Sequence, residues 1–276
     1  MQTKRVPRAF LAFLIPVLFL LAVAVILLET AFFHINPIKI GFNRLDYGKY
    51  VILAEGLRAE SDYETIATIM SKNEAALGLH YNSKVQVILC EKQSDLNRFQ
   101  PFLSAADRRN AVSVAPWPNT IYITPRAKQK YGSILVVVGH ELSHILLQQN
   151  YGIAKATLLW KLEEWIPEGF ATYVNNWPNY FSRDQLLEKM NDVGVDIGSS
   201  GILRAKHTTE VPLPVKYMIY RYFIEYLFQK NPTTTVIQFV KEASNNPKGA
   251  VVAFERNFKD SFDNYVKSFW KRLEEK

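Results

Sequence analysis

Residues 137–147 read Val137-Val138-Gly139-His140-Glu141-Leu142-Ser143-His144-Ile145-Leu146-Leu147, and residues 165–170 read Trp165-Ile166-Pro167-Glu168-Gly169-Phe170. His140 and His144 are four apart, which on an α-helix puts them about 40° apart around the axis, so that both imidazoles reach one ion. Glu141 projects beside them, placed to take a proton from a water rather than to ligate. Ile134, Leu135, Val137, Val138, Leu142, Ile145 and Leu146 spread apolar residues around most of the circumference, as expected of a buried helix. Polar groups inside such a helix need partners, and a metal is the partner that satisfies two histidines clustered on one turn.

A catalytic zinc takes three protein ligands and keeps one position open, so a third ligand has to come from elsewhere. Glu168 is the candidate. It follows Pro167, suited to a first helical turn, and precedes Gly169-Phe170-Ala171-Thr172-Tyr173, whose small residues would let this second helix pack closely on the first. Among the rivals, Glu163 and Glu164 precede the proline and read as the solvated end of a connection. Asp184 and Glu188 read as surface charge. A histidine six residues after His144 is absent, because that position is Asn150.

His140-Glu141-x-x-His144 followed by Trp165-x-x-Glu168-Gly169-Phe170-Ala171 resembles the gluzincin zinc metallopeptidases, in particular the peptidase MA-like branch held at membranes or secreted. The interval from His144 to Glu168 is a few residues longer than in the thermolysin and aminopeptidase branches. The resemblance covers residues 80–276, with the metal motifs specific and the remainder diffuse. It includes Tyr217-Met-Ile-Tyr220-Arg-Tyr222-Phe-Ile-Glu-Tyr226-Leu, similar to an aromatic helix of the family, and the closing stretch from Ala253 to Trp270.

The resemblance implies one zinc ion on His140, His144 and Glu168, with Glu141 as general base in peptide hydrolysis. It implies an α+β domain in which a small sheet roofs the zinc-binding helices and the C-terminal part is helical. An oxyanion donor is needed besides the metal, and the candidates are Tyr217, Tyr220 and His207. Tyr217 is similar to the tyrosine that faces the site in related enzymes. An endopeptidase acting on a peptide or protein is expected, since the Gly-x-Met-Glu-Asn pattern that captures a free N-terminus is absent. Two readings of other classes stand beside it: a peptidase-like scaffold that no longer turns over, and a basic membrane-surface module.

Residues 9–28 form an uncharged apolar run of bilayer-spanning length. Lys4, Arg5 and Arg8 precede it and Glu29 follows, so the positive-inside rule leaves residues 1–8 cytoplasmic and the remaining chain outside. The expectation is a single-pass signal anchor, a linker over 29–49 and a metallopeptidase-like domain over 50–276. A cleaved signal ending near Ala22-Val23-Ala24, giving a secreted protein, is the alternative. The formal net charge of +7 is scattered among acids, and nothing reads as a nucleic-acid stripe. Cys90, the single cysteine, excludes an intrachain disulfide and reads as a small buried hydrophobe.

Strands are expected over 50–57, 84–90, 111–114 and 120–124, with a capped helix over 61–77 and a short one from Ser94. By position, 119–124 is a candidate edge strand for pairing with extended substrate, with an ordinary interior strand as the other reading. Helices are expected over 184–190 and 215–229, separated by a Gly- and Ser-rich loop over 192–201. Phe254, Phe258, Phe262, Tyr265 and Phe269 recur at helical spacing, which places them on one core-facing stripe. His34 and His80 read as structural or exposed.

Overall fold

The computed structural model describes residues 14–24, 42–54, 61–92, 111–113, 119–131, 134–151, 163–175, 181–195, 200–204, 211–246 and 249–275. The expectations for His34, His207, the short helix from Ser94, the cytoplasmic N-terminus and most of the linker lie outside these residues, as do the side chains of the cap at Ser61. Of the apolar run, residues 14–24 are helical, and Ile15, Leu18, Phe19, Leu20 and Leu21 on it are exposed. No helix of the described residues is long and apolar enough to cross a membrane.

The N-terminal half builds a five-stranded mixed sheet from β1 (Asn43–Asp46), β2 (Tyr50–Ala54), β3 (Val85–Leu89), β4 (Ala111–Ser113) and β5 (Thr120–Ile123), in the order β1-β2-β3-β5-β4. β2, β3 and β5 run parallel, and β1 and β4 close the two edges antiparallel. Helix α1 (Ser61–Leu77) crosses over between β2 and β3, as parallel neighbours require. β1 occupies residues read as linker. Its Asn-Arg-Leu-Asp sequence carries one apolar residue and lies mostly exposed, so alternation had nothing to report. Gly48, at φ 73°, makes the turn that returns the chain into β2, its N–H donating to Asp46.

The edge-strand expectation for 119–124 is corrected. β5 is interior, flanked by β3 and β4, and the edge beside it is the shorter β4. Strand order is a tertiary property that chain position alone does not carry.

Alternation along the strands separates two apolar faces. Tyr50, Ile52, Ala54, Val85, Val87, Leu89, Ile121 and Ile123 join the main core with the helices. Val51, Leu53, Ile88, Cys90 and Tyr122 bury on the opposite face, with Cys90 a packed hydrophobe there.

After the sheet the described chain is helical: α2 (Pro125–Tyr131), α3 (Leu135–Tyr151), α4 (Trp165–Asn175), α5 (Arg183–Asp192), α6 (Gly201–Arg204), α7 (Leu213–Lys230), α8 (Thr233–Asn245), α9 (Ala250–Phe258) and α10 (Phe262–Glu274). α3 packs on the sheet, α1 and α4, and α4 is held between α3 and α7. Trp165, at the start of α4, plugs into the C-terminal helices. It meets Phe223 edge-on at 5.0 Å and stacks on Phe239 at 5.8 Å. Such aromatic pairs add about 0.5–1.5 kcal/mol each beyond the area they bury.

The aromatic stripe of the closing segment belongs to two helices rather than one. Lys259 adopts a left-handed conformation (φ 58°) and ends α9, and Ser261 caps α10 by accepting from Asn264 N–H. The five rings still bury in one cluster because the break folds α10 back: Phe254 sits 4.4 Å from Phe258 and 5.0 Å from Phe262.

Candidate metal centre

α3 carries His140 and His144 one turn apart, and α4 brings Glu168 to them in its first turn. His140 Nε2 lies 3.2 Å from His144 Nε2 and 3.1 Å from Glu168 Oε2, and His144 Nε2 lies 3.6 Å from Glu168 Oε1. Each of the three offers one ligand atom, and these atoms lie within 4.8 Å of one another. Two donors on a tetrahedral zinc, each about 2.0–2.1 Å from it, stand about 3.3–3.4 Å apart, close to the separations of His140 Nε2 from His144 Nε2 and from Glu168 Oε2. Two imidazoles and a carboxylate also match zinc in ligand type.

Electrostatics bind the three together. Burial by itself would raise the Glu168 carboxyl, but the charge of His144 and the hydrogen bonds from both histidines hold it well below the usual carboxylate range. Burial by itself would lower the His144 imidazole, and the Glu168 carboxylate reverses that and raises it. His140 is the deepest of the three, at 4 % exposure.

Glu141 is half-buried on the same turn, and its charge acts on both His144 and Tyr217. Tyr217, in the first turns of α7, lies parallel to the His140 ring with centroids 6.1 Å apart, and its hydroxyl donates to Glu168. Burial, then the Glu168 and Glu164 charges, push its phenol up, so it remains a hydrogen-bond donor at neutral pH. Tyr220 is turned elsewhere. Its hydroxyl lies 3.4 Å from both Glu164 and the Ile202 carbonyl. Asp184 is an exposed surface charge, as is Glu188, and His80 is exposed beside Glu74. Asn150 is used structurally, donating to the His80 and Leu146 carbonyls.

Glu164 corrects the reading of a solvated connection. Its carboxylate accepts from the buried Lys216 at 2.7 Å, and Glu163 also has a buried carboxylate oxygen. Their sequence neighbourhood looked like surface because the cation that covers Glu164 comes from α7, 52 residues away.

The close packing expected of the small residues after Glu168 is realised on a different side. A Cβ at Gly169 would stand 2.8 Å from Ile224 and 3.0 Å from the Tyr220 carbonyl, so this glycine admits α7 rather than α3. Gly139 makes the close approach between α3 and α4, where a Cβ would stand 2.4 Å from Asn175 Oδ1. Asn175 donates to Ser143 at 2.7 Å, tying the two helices across the site. On the other flank Asn73 donates to the Gly139 carbonyl and Tyr81 to the Leu142 carbonyl at 2.9 Å. Sequence reasoning missed this bracing. Its one signal was Ser143 inside the otherwise apolar α3; Asn73, between Lys72 and Glu74, and Asn175, at the end of α4, carried none.

The chain matches no protein-family model, and no curated protein matches its sequence.

Proposed function

We propose that this protein is a zinc-dependent peptidase, an endopeptidase by preference, held at a membrane by the apolar run over residues 9–28. The observation that carries the reading is the convergence of His140 Nε2, His144 Nε2 and a Glu168 oxygen, from two helices, at spacings suited to one tetrahedral ion.

Zinc held by these three residues would supply Lewis acidity, making water nucleophilic near neutral pH and polarising a carbonyl. Glu141 accepts the proton as the water oxygen bonds to the peptide carbon, then delivers it to the amine nitrogen as the C–N bond breaks. The Tyr217 hydroxyl leaves Glu168 and donates instead to the carbonyl oxygen as negative charge accumulates there. Glu168, kept ionised by the histidines, and the bracing of α3 keep these groups in place before substrate arrives.

The test is metal content by mass spectrometry of the purified chain, together with cleavage of a mixed peptide library by wild type and Glu141→Gln. Near-stoichiometric zinc in both proteins, with cleavage by wild type alone, is the expected result. A folded protein without zinc would refute the proposal, and zinc with equal cleavage by both proteins would refute the role of Glu141.

A further inference from the structure

From the ion pair between the buried Lys216 and the half-buried Glu164, we infer that these two are positioning residues for the metal centre: they lock the start of α4, which carries Glu168, to the start of α7, which carries Tyr217. The inference rests on the proposed metal site.

Lys216 is a costly residue where it stands. It is 7 % exposed and lies in the N-terminal part of α7, at the positive end of the helix dipole, with no acidic residue in the first turn. Neither helix formation nor solvation favours a lysine there. Its Nζ meets Glu164 Oε2 at 2.7 Å, and the Tyr220 hydroxyl stands 3.4 Å from the same oxygen. The carboxylate is thereby held from two successive turns of α7.

Glu164 transmits this to the site through the backbone. Its carbonyl accepts the N–H of Glu168 at 3.1 Å, the bond that opens α4. The residue fixed by Lys216 is therefore the one that sets the first turn bearing the third ligand. At the other end of the pair, Lys216 is the immediate neighbour of Tyr217, which stacks on His140 and donates to Glu168. Trp165 and Gly169 govern how deeply α4 sits against the C-terminal helices. The ion pair governs where its first turn lies relative to Tyr217.

A pair that only neutralises buried charge and a pair that positions ligands respond differently to replacement. Removing one partner strands a buried charge and lowers stability, whereas replacing both relieves that penalty. Loss of a group that orients a metal ligand lowers metal affinity about 10–100-fold.

The experiment compares the full chain, purified in detergent and stripped by chelator, as wild type, Lys216→Met, Glu164→Gln, the double variant and Lys216→Arg. Zinc affinity is measured against a competing chelator, the cobalt(II) absorption spectrum is recorded, and thermal midpoints are taken without metal. The expected result is zinc affinity about 10–100-fold weaker in each single variant, with an altered cobalt spectrum. The double variant regains the thermal midpoint and keeps the weak affinity, and Lys216→Arg stays near wild type in both. Where a single variant fails to fold, the double variant and Lys216→Arg carry the comparison. Wild-type affinity in the double variant would overturn the inference while leaving the metal site standing. A wild-type protein that takes up neither zinc nor cobalt would overturn the metal site itself, and the inference with it.

Discussion

His140 Nε2 and Glu168 Oε2 stand 3.1 Å apart although 28 residues separate them, and they belong to two different helices. A second imidazole stands beside them, His144, whose Nε2 lies 3.2 Å from His140 Nε2 and 3.6 Å from Glu168 Oε1. Four consequences follow for experiment.

Glu168→Ala removes the proposed ligand that α4 contributes and leaves both histidines on α3. Zinc affinity is expected to fall by more than the roughly 100-fold that marks loss of an outer partner, while α3 stays helical because its packing does not depend on this side chain. Chelator competition with circular dichroism on the same samples checks both. Unchanged zinc affinity would exclude Glu168 as a ligand.

Tyr217→Phe keeps the ring over His140 and removes only the hydroxyl. A donor of this type contributes about 10²–10³-fold to kcat, so a kcat fall of about 100-fold is expected, with zinc content and KM near wild type. A change in KM alone would assign Tyr217 to substrate binding instead.

Gly169→Ala drives a Cβ toward the Tyr220 backbone and Ile224. Overpacking of this kind costs about 1–3 kcal/mol, and the ~1 kcal/mol that alanine returns as helix propensity offsets part of it. A net loss of up to about 2 kcal/mol is expected from denaturant midpoints. A more stable variant would show that α4 and α7 do not approach as closely as described.

Proton linkage at the metal-free site has a definite sign. His144 is raised above its ordinary 6.5, so its contribution to stability is fully present below that value and is lost as pH rises through the higher folded value. Glu168 is held well below 4.5, so its contribution is present above that value and is lost as pH falls through the lower folded value. The two overlap between 4.5 and 6.5. The midpoint difference between metal-free wild type and Glu168→Gln is therefore expected to be larger near pH ~5.5 than near pH ~9. Zinc affinity runs the other way, rising with pH as His144 gives up its proton to ligate. Equal midpoint differences at both pH values would contradict the pairing.

The three residues of the candidate metal centre were legible in the chain because their geometry is local or nearly so. A spacing of four on a helix determines that His140 and His144 share a face wherever the helix goes, and Pro167 with Ala171 and Thr172 marks Glu168 as early in a second helix. Tyr217 was legible through resemblance alone. Glu164 was misread, because its environment is made by Lys216 and Tyr220 from α7. A carboxylate in a polar stretch looks solvated until the covering cation arrives.

By itself the sequence determined what depends on neighbours along the chain: the apolar circumference of α3, the continuous apolar runs of β2, β3 and β5, the histidine spacing and the burial of Cys90. Tertiary structure alone decided that β5 is interior and β4 the edge, that Lys259 splits the aromatic stripe between α9 and α10, and that Gly169 opens toward α7 rather than α3. The physical reason is the range of the interactions. Helical and strand periods are properties of one backbone segment, whereas strand order, helix contacts and the pairing of buried charge are settled only when distant segments compete to exclude water from the same core.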